Sequence, residues 1–377
     1  MKLVYLDNAA TTKMSKRVIE EMTESFEEIY GNPSSTHTLG QKAKAVVENA
    51  RHIMAKNLKV EAKEIVFTSG GAEGNNLVIK GFLKQNKDKG KHIITTKIEH
   101  STVLKTFESL EKQGYDVTYI DVTKDGIIDV EKLKKAVRKD TALVSVMFVN
   151  NETGVIQPIK EIGEFLKEKE IFFHTDAVQA IGKFEIYPKE LRIDALTVSS
   201  HKFYGPKGTG FVFIDKKYNI EKEIFGGSQE RNRRAGTENV NGILGTGVAL
   251  EEVYEKMEVI FEHEKKIQEY LEEKLKNEIG RIQKVEINGE NSRRVKNITN
   301  VFIENTDIQM LLVALDMRGI CVSGGSACMS GSLENSYVLE AMGLNDEKLK
   351  SSFRISIGKD TTIEEIDYFI ENLKEII

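Results

Sequence analysis

The sequence predicts an α/β protein with a mostly parallel seven-stranded sheet flanked by helices, followed by a smaller α+β unit. Three observations predict it. Apolar runs alternate with amphipathic segments through the first half of the chain. An almost unbroken helical pattern then covers 237–279. Beyond it the texture changes to short strands and helices closely interleaved. At 377 residues the chain exceeds what one hydrophobic core usually serves, so two domains are expected. The boundaries fall at 14–256 for the larger domain and 257–377 for the smaller, with 1–13 packing on the latter.

The elements follow in order. After a short N-terminal strand, 15–30 reads as a helix closed by Gly31, and the turn-rich Gly31-Asn32-Pro33-Ser34-Ser35-Thr36 follows. A second amphipathic helix covers about 39–58. Five apolar runs, at 64–68, 92–96, 117–122, 142–149 and 171–175, have the continuous character of strands buried on both faces. Helical segments at 102–112, 129–137 and 159–169 lie between them. Two further runs, 195–199 and 210–214, sit close together with no helix between, and one of them is expected to run antiparallel. No proline interrupts 237–279, so a single bend or break near 253–257 is expected there. Strands at 284–287, 298–303 and 353–357, a helix at 308–317 and a final helix from 362 make up the smaller unit. There is no internal repeat and no low-complexity segment.

Composition excludes several classes of function. The formal net charge is −5 and no basic face is evident, which argues against direct nucleic-acid binding. The two cysteines, Cys321 and Cys328, are too few for a disulfide framework, and their spacing is not a zinc pattern, so no metal is expected. No apolar run reaches membrane-spanning length and the N-terminus has no signal-peptide pattern, so a cytoplasmic protein is expected.

In open parallel sheets ligands sit beyond the carboxyl ends of the strands, so the residues that follow each strand carry the chemistry. After 64–68 comes Ser69-Gly70-Gly71-Ala72-Glu73-Gly74-Asn75-Asn76, where small residues expose backbone N–H groups at a helix start and suit a phosphate. A tight strand-to-helix turn explains it equally well, and neither GxGxxG nor a Walker A pattern is present. Glu99-His100-Ser101 follows the next strand, and Asn150-Asn151-Glu152-Thr153-Gly154 follows 142–149. His174-Thr175-Asp176-Ala177-Val178-Gln179 places a carboxylate where an apolar run ends, either as a helix cap or as the partner of a cation. Ser199-Ser200-His201-Lys202 places an amine in surroundings that favour desolvation, which lowers a lysine's pKa and makes it nucleophilic. A pyridinium cofactor needs a lysine for an imine, a carboxylate for its ring nitrogen, a phosphate cradle and a flat group over the ring. Lys202, Asp176, the turn at 70–71 with Ser199, and His100 meet those needs from separate strand ends. The run Val322-Ser323-Gly324-Gly325-Ser326-Ala327-Cys328-Met329-Ser330-Gly331-Ser332 adds one thiol among small residues, either a surface loop or a reactive cysteine.

On these motifs, together with Tyr5-Leu6-Asp7-Asn8-Ala9-Ala10-Thr11-Thr12, Arg234-Ala235-Gly236-Thr237 and Arg354-Ile355-Ser356, the sequence resembles the cysteine desulfurases of the NifS/IscS type. These are fold-type-I pyridoxal 5'-phosphate enzymes of the class V aminotransferase group, and the resemblance covers the whole chain. It implies that Lys202 forms the imine with the cofactor and that Asp176 pairs with its ring nitrogen. Gln179 and Asn151 would hold the region of the phenolic oxygen. His100 would stack on the ring and move protons. Gly71, Ala72, Ser199 and His201 would hold the phosphate, and Thr237 would reach the phosphate of a neighbouring subunit in a homodimer. Arg354, with Asn151, would take the substrate carboxylate, a task suited to a guanidinium fork. Cys328 would be the nucleophile, in the family branch that has the longer loop at this point.

The implied reaction converts L-cysteine to L-alanine and leaves its sulfur on Cys328 as a persulfide. The sulfur then passes to an acceptor protein, an iron–sulfur scaffold or a tRNA-thiolation enzyme. One departure stands out: the family usually has threonine where this chain has Ala72. A hydroxyl donor to the phosphate is then missing, and such a bond is worth roughly 1.5–3 kcal/mol. Cys321 matches no family role and is expected in the core. A selenocysteine lyase or other β-lyase on the same scaffold is an alternative, since that chemistry can proceed without a thiol. A sulfur-relay scaffold of low activity is another.

Overall fold

The computed structural model describes residues 2–324 and 335–377. Twelve strands carry the architecture among them: β1 (Val4–Tyr5), β2 (Ile65–Thr68), β3 (His92–Thr96), β4 (Asp116–Ile120), β5 (Thr141–Ser145), β6 (Phe172–Asp176), β7 (Ala195–Ser199), β8 (Gly210–Ile214), β9 (Val285–Ile287), β10 (Ile298–Ile303), β11 (Ile320–Cys321) and β12 (Ser352–Ser356). The central sheet has seven strands in the order β2-β8-β7-β6-β5-β3-β4. Pairings from β7 through β4 are parallel. Strand β8 runs antiparallel to both neighbours, β2 and β7, because no helix separates it from β7 to return the chain. All seven apolar runs of the sequence therefore enter one sheet.

The sheet is buried on both faces, and its residues divide with a period of two. Ile65, Phe67, Ile94, Val144, Phe173, Leu196 and Phe211 face one core. Val66, Ile93, Leu143, Phe172, Ala195 and Val212 face the other. The first core is covered by helices Thr38–Leu58, Ile159–Glu168 and Val240–Glu255. The second is covered by Gly71–Gln85 and Ser101–Glu111. Several helices begin where a side chain takes a terminal N–H. Ser15 accepts from Val18, and Asp129 from Lys132.

The long helical stretch breaks once, at Lys256, between helices Val240–Glu255 and Met257–Asn277. A separate core then forms around Ile267, Leu271, Val301, Leu315, Phe353 and Phe369. It also takes in Val4 and Leu6, because β1 pairs in parallel with β11 and Asp7 bridges to Ser356. The three-stranded antiparallel sheet β12-β10-β9 and the closing helix Ile363–Ile376 complete this unit. Thr362 and Glu365 form a capping box at the start of that helix. Cys321, expected in the core, is only partly buried. Its strand is two residues long, and the neighbouring Ile320 is the one that turns inward.

Candidate active site

The order of the sheet puts a switch point between β3 and β5. The chain goes outward from β3 to β4, then returns to the other side of β3. Such a point opens a crevice at the carboxyl ends of the strands. A cavity of about 430 Å³ lies there, large enough for a small organic cofactor. Ten residues singled out by the sequence line it: Gly71, Ala72, His100, Asn151, Asp176, Gln179, Ser199, His201, Lys202 and Arg354. Thr237 is exposed and does not line it. Cys328 lies outside the described residues.

Asp176 ends β6 and is almost fully buried. Its Oδ1 accepts from the Val178 N–H at 3.0 Å, so it does cap a turn. Its Oδ2 accepts from Asn75 Nδ2 at 2.8 Å. Asn75 sits on the helix Gly71–Gln85, and its amide also donates to Thr102 Oγ1 at 2.9 Å. Thr102 Oγ1 in turn lies 2.9 Å from His100 Nδ1, and the Thr102 N–H also donates to that nitrogen. An unbroken hydrogen-bonded chain therefore joins Asp176 to His100. Because Thr102 N–H donates to Nδ1, the neutral imidazole carries its proton on Nε2.

Helix Gly71–Gln85 can approach the sheet this closely because it carries Gly74. A Cβ there would lie 2.6 Å from the Thr197 methyl. Its first turn begins at Gly70, whose φ of +144° suits glycine alone. A Cβ at Gly70 would lie 3.3 Å from Ser199 Oγ, so the start of the helix sits close against the end of β7.

Lys202 closes the 3-10 turn Ser200–Lys202 directly after β7. Its Nζ donates to the carbonyls of Ala9 and Ala10 at 2.7 and 2.8 Å. Gln179 Nε2 donates to the same Ala9 carbonyl at 2.9 Å. The N-terminal segment is thus laid across the cavity wall, which explains the early Asn8-Ala9-Ala10-Thr11-Thr12 motif. His201 Nδ1 lies 3.1 Å from Thr11 Oγ1. Burial, with the charges of Lys202 and Lys207, lowers the His201 imidazole to about 4, so it is neutral near pH 7.

Arg354 comes from the other core, on β12, and is buried. Its Nη1 donates to the Asn151 carbonyl and its Nη2 to Asp7 Oδ1, both at 2.8 Å. Arg354 Nε and Asn151 Oδ1 are buried and have no partner among the described residues. Orphaned donors and acceptors in a cavity mark where a polar ligand completes the set. A carboxylate fits the first, and a phosphate fits the N–H groups at Gly70–Ala72 with Ser199 and His201. The residues present therefore fit pyridoxal 5'-phosphate and an amino-acid substrate.

Four cavity residues gain their roles only in the fold. Lys207 and Tyr337 line the wall, and the Tyr337 hydroxyl donates to the Glu99 carbonyl at 2.8 Å. Asn75 and Thr102 form the chain described above. Each lies in a stretch already singled out or beside one, but nothing in the sequence joins residues so far apart. Among the described residues, no group of histidine, cysteine and acidic side chains could hold a metal ion. No described helix is long and apolar enough to cross a membrane.

Comparison with known proteins agrees with this geometry. The aminotransferase class-V family matches residues 4–369. A curated cysteine desulfurase IscS of Clostridium botulinum is 48% identical over 378 residues, covering 100% of this chain and 94% of its own. A cysteine desulfurase IscS of Methanosarcina thermophila is 47% identical, with 100% and 92% covered. Among solved structures, a NifS-like protein superimposes with a TM-score of 0.93 at 38% identity, covering 100% of this chain and 99% of its own.

Proposed function

The chain belongs to the aminotransferase class-V family, and from that membership we propose how its own residues carry out cysteine desulfuration. It is a pyridoxal-phosphate-dependent cysteine desulfurase, which takes sulfur from L-cysteine and passes it on. The bound cofactor supplies an electron-accepting ring that lets the Cα proton of cysteine leave.

The observation that carries the assignment of roles is the meeting of Lys202, Asp176, His100 and Arg354 around one cavity, from two separate cores. Lys202 would be the amine that holds the cofactor. Asp176, oriented by Asn75, stabilises positive charge at the ring nitrogen. His100 would lie against the ring and would present Nε2 for proton movement. Gly71, Ala72, Ser199 and His201 hold the phosphate, and Gln179 and Asn151 the phenolic side. Arg354, steered by Asp7 and the Asn151 carbonyl, takes the substrate carboxylate. Cys328 is the nucleophile: its thiolate attacks the substrate sulfur, the Cβ–S bond breaks with its electron pair left on the carbon side, and protonation of that carbon yields alanine while a persulfide remains on the enzyme.

The larger domain is 14–256 and the smaller 257–377 with 1–13, so the site lies between them. The enzyme acts in the cytoplasm as a homodimer, with Thr237 reaching the neighbouring subunit's phosphate. Exposure of Ile224, Phe225 and Thr237 on one segment supports this, since large apolar residues at a surface favour a partner. Acceptors are an iron–sulfur scaffold or a tRNA-thiolation enzyme.

The test is a single turnover of purified holoenzyme with L-cysteine and no reductant, followed by alanine quantitation and peptide mass spectrometry. One added sulfur on the Cys328 peptide with one alanine per subunit is the expected result. Alanine without a modified Cys328 would remove the nucleophile from this account. Absence of alanine would remove the account altogether.

A further inference from the structure

Residues Glu230, Arg231 and Asn232 are consecutive, none is glycine, and all have left-handed backbones, with φ of 47°, 56° and 64°. L-residues visit this region singly and at a cost, so three in a row need an external constraint. The structure supplies one. Glu230 is buried, and its carboxylate takes both Nη atoms of Arg51 at 2.7 Å in a bidentate pair. The two side chains are 3% and 2% exposed. Glu230 Oε2 also accepts from the Phe67 N–H at 2.8 Å, while Arg51 Nη1 donates to the Ile65 carbonyl and the guanidinium lies over the Phe67 ring. The constraint is thus anchored on β2 and on the helix Thr38–Leu58, at the edge of the central sheet.

What the turn delivers lies just beyond it. The Gly236 N–H donates back to Gln229 Oε1. Arg234 pairs with Glu73, which also accepts from the Ser69 N–H at the phosphate end of the cavity. Thr237 comes next and is exposed. A left-handed turn of three residues, held by a buried ion pair, thus precedes the segment that carries Thr237.

We propose that Arg51 and Glu230 are positioning residues: their buried pair locks the left-handed turn 230–232 and so aims Thr237 across the subunit contact at the partner's cofactor phosphate. This rests on the reading of Thr237 given above. It goes beyond that reading in placing the control of cofactor affinity in a pair that touches neither the cofactor nor the substrate.

The experiment is a double-mutant cycle on cofactor affinity. The dissociation constant of pyridoxal phosphate is measured by equilibrium dialysis and cofactor absorbance for wild type, Thr237→Ala, Glu230→Gln and the double variant. Each single change is expected to raise the constant about tenfold, as for loss of one hydrogen bond to a charged group. The double variant is expected to be no worse than either single one. A third arm combines Glu230→Gln with Asn232→Gly, since glycine removes the left-handed penalty, and it should recover most of the lost affinity. If Glu230→Gln does not fold, Arg51→Lys takes its place in the cycle. Full additivity, about a hundredfold in the double variant, would overturn the lock while leaving the role of Thr237 intact. No effect of Glu230→Gln would do the same. No effect of Thr237→Ala would overturn both.

Discussion

Ser336 Oγ donates to Glu152 Oε2 across 2.5 Å, in a fully buried contact. Ser336 also caps the helix Tyr337–Ala341 by accepting from the Leu339 N–H. It is the second described residue after 325–334, the segment that contains Cys328. On the other flank, Ser323 and Arg354 exchange backbone hydrogen bonds at 3.1 and 2.7 Å. Glu152 follows Asn151, whose carbonyl holds Arg354. One flank of the cysteine segment is therefore fastened to Arg354, proposed to take the substrate carboxylate, and the other to Glu152, the chain neighbour of Asn151.

Ser336→Ala should consequently separate sulfur transfer from substrate binding. It removes the one hydrogen-bond partner that the described residues give a buried carboxyl, whose Oε1 has none among them. Turnover to alanine should fall about tenfold, while the KM for cysteine changes by less than about threefold. Cofactor absorbance should stay as in wild type. Steady-state kinetics with a spectrum of the resting enzyme decides the matter; a rise in KM alone would refute the coupling.

Glu99 makes stability depend on pH. Its carboxyl is fully buried, with Oε1 accepting from Thr96 Oγ1 and the Met147 N–H. Burial raises it to about 8, helped by the nearby Asp176 carboxylate. Between the unfolded value of 4.5 and about 8, the folded state keeps a proton that the unfolded state has released. Stability is therefore lost as pH rises through that window, by on the order of 3 kcal/mol at pH 7. Glu99→Gln should remove this slope. Urea unfolding at pH 5.5 and 8 should show the variant gaining on wild type at the higher pH, and equal slopes would contradict it.

The sheet was readable because its strands are buried on both faces, so Ile65-Val66-Phe67-Thr68 or Ala195-Leu196-Thr197-Val198 stand out as unbroken runs. The run 142–149 shows the limit. Its ladder ends at Ser145, yet the Val146 and Phe148 N–H groups still donate to His174 and Asp176 carbonyls, so apolarity outlasts formal strand. The strand-end residues were legible for the same reason, since Asp176, His100 and Lys202 each follow such a run. Asn75, Lys207 and Tyr337 were not. Asn75 acts through Thr102 and Asp176, far away in the chain, and nothing local to Tyr337 distinguishes it from a core tyrosine. The short N-terminal strand was expected and is β1, whereas β11, also two residues long, was hidden because it is too short to show a period.

The chain from Asp176 through Asn75 and Thr102 to His100 can be cut in the middle. Thr102→Val keeps the shape and the backbone donor but removes the hydroxyl that links Asn75 to His100. The proton on Nε2 is then less strongly fixed. Turnover should fall several-fold, and Thr102→Ser should restore it. Failure of the serine variant to rescue would show that the methyl, through packing, was the important part.

The phosphate cradle proposed above has Ala72 where the sequence resemblance leads one to expect a hydroxyl, and Lys207 is placed to offset the loss. Lys207 lines the same cavity, and its charge is felt at His201, one of the residues proposed to hold the phosphate. An ammonium there attracts a phosphate through space without needing the geometry of a hydrogen bond. Two changes test this together. Ala72→Thr should tighten cofactor binding about tenfold, the lower end expected for a hydrogen bond to a charged group. Lys207→Ala should weaken it, and more so at low ionic strength, where screening is least. In the variant that carries both changes, the threonine should restore affinity close to wild type. If Ala72→Thr has no effect alone and does not rescue Lys207→Ala, the backbone N–H groups at Gly70–Ala72 already satisfy the phosphate, and Lys207 serves another purpose.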